Sequence, residues 1–449
     1  MAQDSEKAEL LRNEREGVYW QPFTANRHLR ANMPPRTLVS AEGAYYTTSE
    51  GHKLFDTLSG LWCTPLGHAH PRIVEAVRRQ AETLDFAPSF QLTHPGAISL
   101  AERIADLAPQ GMNHVFFANS GSEAVDTALK VALGYHRIKG AGNRFRMIGR
   151  ERGYHGVGFG GMSVGGIVSN RKMFAAGMMP GVDHLRHTYE PAHMAFTRGQ
   201  PTWGTHRAED LVRLVTLHDA STIAAVIVEP VQGSTGVIVP PVGYLQRLRE
   251  ICTANGILLI FDEVITGFGR MGENFGAQRF GVTPDIITFA KAVTNGIVPM
   301  GGVIVTDEIY NTFMTGPENA IEFCHGYTYS GHPMAAAVGH VVLDVMREEG
   351  LVARVRELEP VLEDAIHSLK DLDAIADIRN IGLTAAIDLK PVDGKPGARG
   401  QALFEAALRG GLLLRVTGET VSFGPPFIST AQELRDMVST LRQLIIQIG

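Results

Sequence analysis

The chain has 449 residues, enough for one large core with smaller units around it. Hydrophobic residues make up 44% and charged residues 20%, which excludes a mostly disordered chain, a collagen-like fibre and a long coiled coil. The net charge of -6 leaves no basic excess for phosphate-backbone contacts, so no nucleic-acid partner is expected.

The N-terminal stretch MAQDSEKAELLRNEREG is charged throughout and lacks the apolar segment of a secretory signal. It predicts one polar helix over about Asp4 to Glu16. Asn26 to Arg36 reads as a loop punctuated by Pro34 and Pro35, and Gly43 to Thr47 is strand-like. At Pro71 the apolar residues fall into helical spacing behind a first-position proline, so a helix starts there. His114 to Asn119 predicts a strand that runs into Ser120-Gly121-Ser122-Glu123 and then a helix to about Lys139. Ala224 to Val228, Ile257 to Phe261 and Ile286 to Ala290 are short apolar runs ending at Glu229, Asp262 and Lys291. A helix, Tyr244 to Asn255, separates the first two and is closed by Gly256. Runs apolar on both faces and separated by helices mark parallel strands covered on each side, so the fold class is α/β.

After Gly331 the pattern shifts. Helices are expected at Pro333 to Glu348 and Leu351 to Leu369, then strand-like pieces at Ala374 to Arg379 and Leu383 to Leu389. A helix (Gln401 to Arg409), a strand (Leu412 to Val416) and a closing helix (Ala431 to Ile448) complete the chain. Residues 71–331 are read as a large domain. Residues 332–449, joined by residues 1–70, are read as a smaller α+β domain. Cys63, Cys252 and Cys324 are the only cysteines, an odd count that suggests a reducing compartment. Ile257 to Phe261 is far short of the ~20 apolar residues that cross a bilayer. A soluble cytoplasmic protein without a membrane partner is expected.

In open parallel sheets, ligands bind beyond the carboxyl ends of the strands. Glu229, Asp262 and Lys291 each end a strand, 33 and 29 residues apart, close to the ~30-residue step of a strand-helix-strand unit. Singly, each is an ordinary solvated charge. Together they bring two carboxylates and an amine to one sheet edge. Ser120-Gly121-Ser122 stands between a strand and a helix, where free N–H groups favour an anion, although an ordinary N-cap turn looks the same. Tyr154, in Gly153-Tyr154-His155-Gly156, can lie flat on a planar ring or pack as a core aromatic. Lys291 follows mostly apolar residues, and desolvation lowers an amine's pKa and makes it nucleophilic. A nucleophilic amine, an acid and a phosphate cradle together describe a pyridoxal phosphate site.

Other chemistries fit less well. Gly67-His68-Ala69-His70-Pro71 invites a metal hydrolase, but one His-x-His without matched ligands is a weak zinc signal, and no metal is expected. A dinucleotide-binding oxidoreductase is also α/β, but no Gly-x-Gly-x-x-Gly follows the first strong strand and opens a helix.

The run from Ile260 to Gly272 (IFDEVITGFGRMG), with Pro284-Asp285-Ile286 leading to Lys291, closely resembles the signature of the class III pyridoxal-phosphate aminotransferases. The resemblance extends from Trp20 to about Phe427. Within the family the chain is most similar to the ω-amino acid:pyruvate (β-alanine:pyruvate) transaminases, through Leu58 to Trp62, Pro240 to Glu250 and His325 to Pro333. It implies the aspartate-aminotransferase-like fold, a large domain with a mostly parallel sheet plus a smaller α+β domain. It also implies pyridoxal 5'-phosphate as cofactor and a homodimer or homotetramer as the working unit. The reaction implied moves an amino group from an ω-amino acid or amine, such as β-alanine, to pyruvate, giving malonate semialdehyde in that case and L-alanine. A pyridoxal-dependent aminomutase, or a transaminase for taurine, polyamines or 4-aminobutyrate, is the alternative.

Position by position, Lys291 matches the lysine that holds the cofactor covalently and shuttles the proton. Asp262 matches the partner of the pyridine nitrogen, Val264 packs on the ring and Tyr154 stacks on it, with His155 beside it. Ser120, Gly121 and Ser122 match the phosphate loop, and Thr328 a phosphate ligand donated by the other subunit. Glu229 matches an acid near the ring hydroxyl. Arg415 matches the arginine that binds the substrate carboxylate, although a strand arginine is by itself more often a solvated edge residue. Trp62, Phe23 and Phe90 line the substrate pocket on this reading. The run Glu229-Pro-Val-Gln-Gly-Ser234 departs from relatives specific for ornithine or 4-aminobutyrate, which place a glutamate where Ser234 stands. Ser422 takes the place of a glutamine seven residues after the arginine and is the remaining candidate for substrate contact.

Overall fold

The computed structural model describes residues 18–31 and 36–449. The helix expected over Asp4 to Glu16 and the pair Pro34 and Pro35 lie outside the described residues. Strands β1 (Leu38–Glu42), β2 (Tyr45–Thr48) and β3 (Lys53–Asp56) form an antiparallel meander. Next come β4 (His114–Ala118), β5 (Arg146–Arg150), β6 (Val182–Leu185), β7 (Ile223–Val228), β8 (Leu258–Asp262), β9 (Ile286–Phe289) and β10 (Gly301–Val305). They build a seven-stranded sheet in the order β4-β10-β9-β8-β7-β5-β6. β10 runs antiparallel to both its neighbours, and the remaining pairs are parallel. The last strands are β11 (Ile375–Ile381), β12 (Thr384–Leu389), β13 (Leu412–Leu413), β14 (Arg415–Thr417) and β15 (Thr420–Phe423). β13 joins the first meander beside β3, and the others form a third sheet in the order β11-β12-β15-β14.

Every residue of β7, β8 and β9 is buried, as strands with helices on both faces require. The register pairs Val228 with Phe261 and Asp262 with Thr288, so these strands end at nearly the same level. That levelling brings Glu229, Asp262 and Lys291 to one edge. The helix Gly121–Ile138 packs Ala124, Ala128, Leu129 and Ala132 against Ile260, Ile286 and Val303, and its first turn opens at the same edge. A second core, which includes Phe261, Phe289, Ile387 and Phe423, is continuous from the central sheet to the third sheet.

Several elements depart from expectation. Asn26–Ala31 is a short helix rather than a loop; the Asn26 side chain ties its start by accepting from Gln21 N at 3.0 Å and donating to Gln21 O at 3.0 Å. The run Leu412 to Val416 is two strands in two sheets, divided at the buried Leu414. Burial alternates through the division, so the apolar pattern does not reveal it. The helix Pro95–Leu107 buries only Leu100 and Ile104, too sparse a pattern to be distinctive. Among the described residues, no helix is long and apolar enough to cross a membrane.

Gly149 in β5 marks a close crossing. A Cβ there would lie 1.9 Å from the carbonyl oxygen of Val164, so a backbone segment would have to move. Gly149→Ala is expected to destabilise the fold by about 1–3 kcal/mol, read as a lower urea midpoint. Gly142→Ala, whose Cβ would meet nothing, should change stability by less than about 0.5 kcal/mol.

Candidate active site

Asp262 closes β8 with its carboxylate almost fully buried. Oδ1 accepts from Thr288 Oγ1 at 3.0 Å and from Val264 N at 3.2 Å, and Oδ2 lies 2.7 Å from His155 Nδ1. A buried carboxylate without donors would be costly, and three donors converge on this one. Thr288 owes its position to register, being the residue paired with Asp262 on β9. It is the only polar residue in Ile286–Phe289, and that was the signal available in the sequence. His155 is 1% exposed, and its Nε2 has no hydrogen-bond partner among the described residues.

Glu229 follows β7. Its Oε1 accepts from Tyr154 N at 3.0 Å and its Oε2 from Gly233 N at 3.2 Å. Burial pushes its carboxyl up to about 7; the neighbouring Asp262 charge adds to this, while His155 and Arg150 oppose it. Arg150 Nη2 fixes the same residue from below by donating to its carbonyl oxygen at 2.6 Å. Burial pulls the Lys291 amine below its ordinary value against Cys63, Asp262 and Glu229, which favour the charged form. The result is an amine poised toward its neutral, nucleophilic form. Lys291 also has φ +48°, a left-handed conformation that costs a non-glycine residue on the order of 1 kcal/mol or more. Behind it, Asn295 accepts from Leu66 N at 2.9 Å and donates to Gly67 O at 2.8 Å, strapping the 66–67 segment to this turn.

The first turn of the helix Gly121–Ile138 supplies a cradle. Ser120 caps it by accepting from Glu123 N at 3.2 Å, and Glu123 turns its own carboxylate to Asn119 N at 2.8 Å. The glutamate is thereby kept from opposing an anion at the helix start. Gly121 and Gly156 leave the space open: a Cβ on Gly121 would lie 2.9 Å from Val264 Cγ1, and one on Gly156 2.4 Å from Ser122 Oγ. Ser122 Oγ accepts from Val157 N at 3.2 Å, fixing the 156–157 turn against the helix.

One cavity gathers Gly121, Ser122, Tyr154, His155, Glu229, Asp262, Val264 and Lys291, all expected from sequence. Gly156 and Ile265 also line it and were missed. Ser120 does not line it, because its hydroxyl is spent on the cap. Thr328 is exposed on a turn and stands outside the cavity. Phe23 and Phe90 are 70% and 60% exposed and stand outside the cavity. Trp62 is buried, with Gly424 so close that an added Cβ would lie 2.1 Å from the indole ring. Arg415 is exposed on the outermost strand β14 and, among the described residues, has no hydrogen bond or ion pair with another side chain. Burial raises the Tyr154 phenol above its ordinary value, the nearby Asp262 charge adds to the rise, and the Arg415 charge counters it. Ser422 is buried and pairs with Arg415 across the strands. His68 and His70 are engaged elsewhere, with Asp56 at 2.9 Å and Glu349 at 3.6 Å.

A depressed lysine, a carboxylate ready to hold a ring N–H, an aromatic side chain and a small-residue cradle of helix N–H groups form the donor set that pyridoxal 5'-phosphate requires. Residues 27–445 match the family model described as aminotransferase class-III. The chain is 52% identical over 431 residues to an omega-aminotransferase of Caulobacter vibrioides, covering 96% of this chain and 98% of that one. It is 53% identical over 423 residues to a beta-alanine–pyruvate aminotransferase of Pseudomonas aeruginosa, covering 93% of each. Among solved structures, it matches an amine transaminase from an uncultivated Pseudomonas species in its PLP-bound form. That match has a TM-score of 0.89 at 33% identity and covers 97% of this chain and 100% of that one. The match over nearly the whole chain, with the lysine, carboxylate and cradle in one cavity, makes this protein a member of the class III aminotransferases, which are pyridoxal-phosphate enzymes.

Proposed function

We propose that the chain transfers the amino group of an ω-amino acid or amine, β-alanine foremost, to pyruvate. The products are then malonate semialdehyde and L-alanine. The observation that carries this reading is the one cavity that holds Lys291, Asp262 and the Gly121–Ser122 cradle; Arg415, a cation on β14 with no side-chain partner among the described residues, is our candidate for the substrate carboxylate. The names of the two half-identical relatives support it. Pyridoxal phosphate, when bound, supplies an electron-withdrawing ring that accepts the electron pair left at the substrate carbon.

The chain's own groups have separate tasks on this reading. Lys291 Nζ holds the cofactor and moves the proton at the substrate carbon. Asp262 accepts from the ring nitrogen, and His155 orients Asp262. Tyr154 and Val264 would enclose the ring, Glu229 would serve as an acid beside it, and Gly121 and Ser122, with the turn capped by Ser120, would hold the phosphate. Arg415 binds the carboxylate that pyruvate and β-alanine share, in the planar two-pronged geometry a guanidinium offers. Trp62 walls the substrate space, Phe23 is assigned to its outer rim beyond the cofactor cavity, and Ser422 stands beside the clamp.

Thr328 and Phe90 belong to one exposed cluster, since a Cβ on Gly326 would lie 3.0 Å from the Phe90 ring and Phe86 meets Tyr329 at 6.0 Å. We assign both to the cavity of a second protomer, which makes a homodimer the minimal working unit. The boundaries at residues 70 and 331 are part of the same reading, supported by β13 pairing with β3 across the two ends of the chain. The cytoplasm is the compartment proposed, in keeping with three cysteines that are all unpaired.

Lys291→Ala should lose nearly all turnover and the visible band of bound cofactor. Borohydride reduction and peptide mapping of the wild-type enzyme should label Lys291 alone; a label on another lysine refutes the assignment. Arg415→Ala should raise KM for pyruvate and β-alanine about ten- to more than a hundredfold, as expected for a lost charge-assisted bond of roughly 1.5–3 kcal/mol. The half-reaction with a neutral arylalkyl amine should change far less, and equal losses for both substrate types would assign Arg415 to fold or cofactor instead. Activity should also depend on added pyruvate. It should fall on dilution to concentrations where sedimentation shows monomers, because the monomer lacks Thr328 and Phe90 in its cavity.

A further inference from the structure

Arg415 stands on β14, a three-residue strand paired on one side only, joined to β15 through Gly418 and Glu419. A strand this short at a sheet edge holds its place poorly by itself. Its neighbourhood contains a buried ionic cluster that the chemistry above does not use. Arg379, 6% exposed, donates through Nη1 to Asp377 Oδ2 at 2.8 Å, Asp388 Oδ2 at 2.8 Å and Tyr189 Oη at 3.1 Å. Through Nη2 it donates to Asp388 Oδ1 at 3.1 Å, and through Nε to Gly236 O at 2.5 Å. Thr420, the first residue of β15, adds its hydroxyl to Asp388 Oδ1 at 2.7 Å and pairs with Thr417 at the end of β14.

The cluster reaches the cavity from its other side. Gly236, at φ +104°, lies so close that an added Cβ would meet Thr420 Cγ2 at 2.5 Å and Arg379 Nη2 at 2.7 Å. Gly236 N donates to Gly233 O at 3.1 Å, and Gly233 N donates to Glu229 Oε2 at 3.2 Å, within the cavity wall. An unbroken polar path therefore runs from Glu229 through the 233–236 turn, Arg379 and Asp388 to Thr420 and the hairpin that bears Arg415.

We propose that Arg379, Asp388 and Thr420 are positioning residues that set how far Arg415 reaches toward the cavity, and with it the affinity for the carboxylate end of the substrate. This rests on the reading of Arg415 as the carboxylate clamp. A buried ion cluster is weak evidence for stability, since apolar residues pack as well; what it supplies is a defined geometry. The two-pronged contact of Arg379 with Asp388 is planar and directional, which an ammonium cannot reproduce. The segment it fixes is the one whose displacement by about 1 Å would misplace a bound carboxylate.

The test uses holoenzyme carrying Thr420→Val, which keeps side-chain size and removes the hydroxyl, beside Arg379→Lys and Arg415→Ala. Thr420→Val should raise KM for pyruvate and β-alanine about three- to tenfold, in line with the loss of one hydrogen bond, and Arg379→Lys should raise it further. The neutral-amine half-reaction should stay within about twofold and the cofactor band should be unchanged, while amide exchange over residues 415–423 quickens. In the Arg415→Ala background, Thr420→Val should add nothing to KM. A discriminating Arg415→Ala beside a silent Thr420→Val overturns this inference alone. So do equal losses for both substrate types in Thr420→Val, or undiminished effects in the Arg415→Ala background. If Arg415→Ala itself fails to discriminate, the clamp reading falls and this inference falls with it.

Discussion

Asp262 is a carboxylate almost wholly removed from water, and the cavity is organised around supplying it with donors. Thr288 reaches it because β8 and β9 are in parallel register, and His155 because the loop after β5 returns over the strand ends. Glu229 and Lys291 arrive with the same register, and their burial then acts on them in opposite directions. The acid is held toward its neutral form and the amine is also held toward its neutral form, each losing the charge it would carry in water. The pocket therefore restrains net charge around one carboxylate that is fully provided with partners.

The helix at the cavity follows the same economy of charge. Its N-terminus favours an anion, and a glutamate in the first turn could have occupied that place. Instead Ser120 Oγ accepts from Glu123 N while the Glu123 carboxylate accepts from Asn119 N, and Gly121 keeps Val264 at contact distance. A lone Ser-Gly-Ser stretch is ambiguous as sequence. The cap resolves it by showing which donors are consumed: Glu123 N by Ser120 Oγ and Asn119 N by the Glu123 carboxylate.

The central strands and their ionisable ends were legible because β7, β8 and β9 are short, mostly apolar runs with a charge at or just after each end. β10 was not, since it opens on two glycines and carries only three apolar residues. The division of residues 412–416 was hidden for a different reason: alternating burial continues across Leu414, and only the identity of the partner strand changes. Gly121, Ser122 and Tyr154 were readable from short motifs. Phe23, Phe90 and Thr328 are exposed and stand outside the cavity, so no apolar periodicity or strand-end spacing speaks for them. The Arg379 cluster was invisible because its members come from residues 189, 236, 377, 388 and 420, with no common spacing.

The division at Leu414 has a consequence for altering the pocket. Leu413 pairs with Asp56 and accepts from Thr57 Oγ1 at 2.7 Å, a few residues before Trp62, while Arg415 begins the other sheet two residues later. Gly424, beyond β15, donates back to Thr57 O at 2.8 Å and lies against the Trp62 ring. The Trp62 ring and Arg415 thus hang on one short piece of backbone that changes sheets between them. Substitutions at Trp62 and at Arg415 are then not independent steps. Their free-energy effects should depart from additivity, as expected for sites that share a backbone support, and a search for new amine substrates that varies them one at a time will miss combinations that work together.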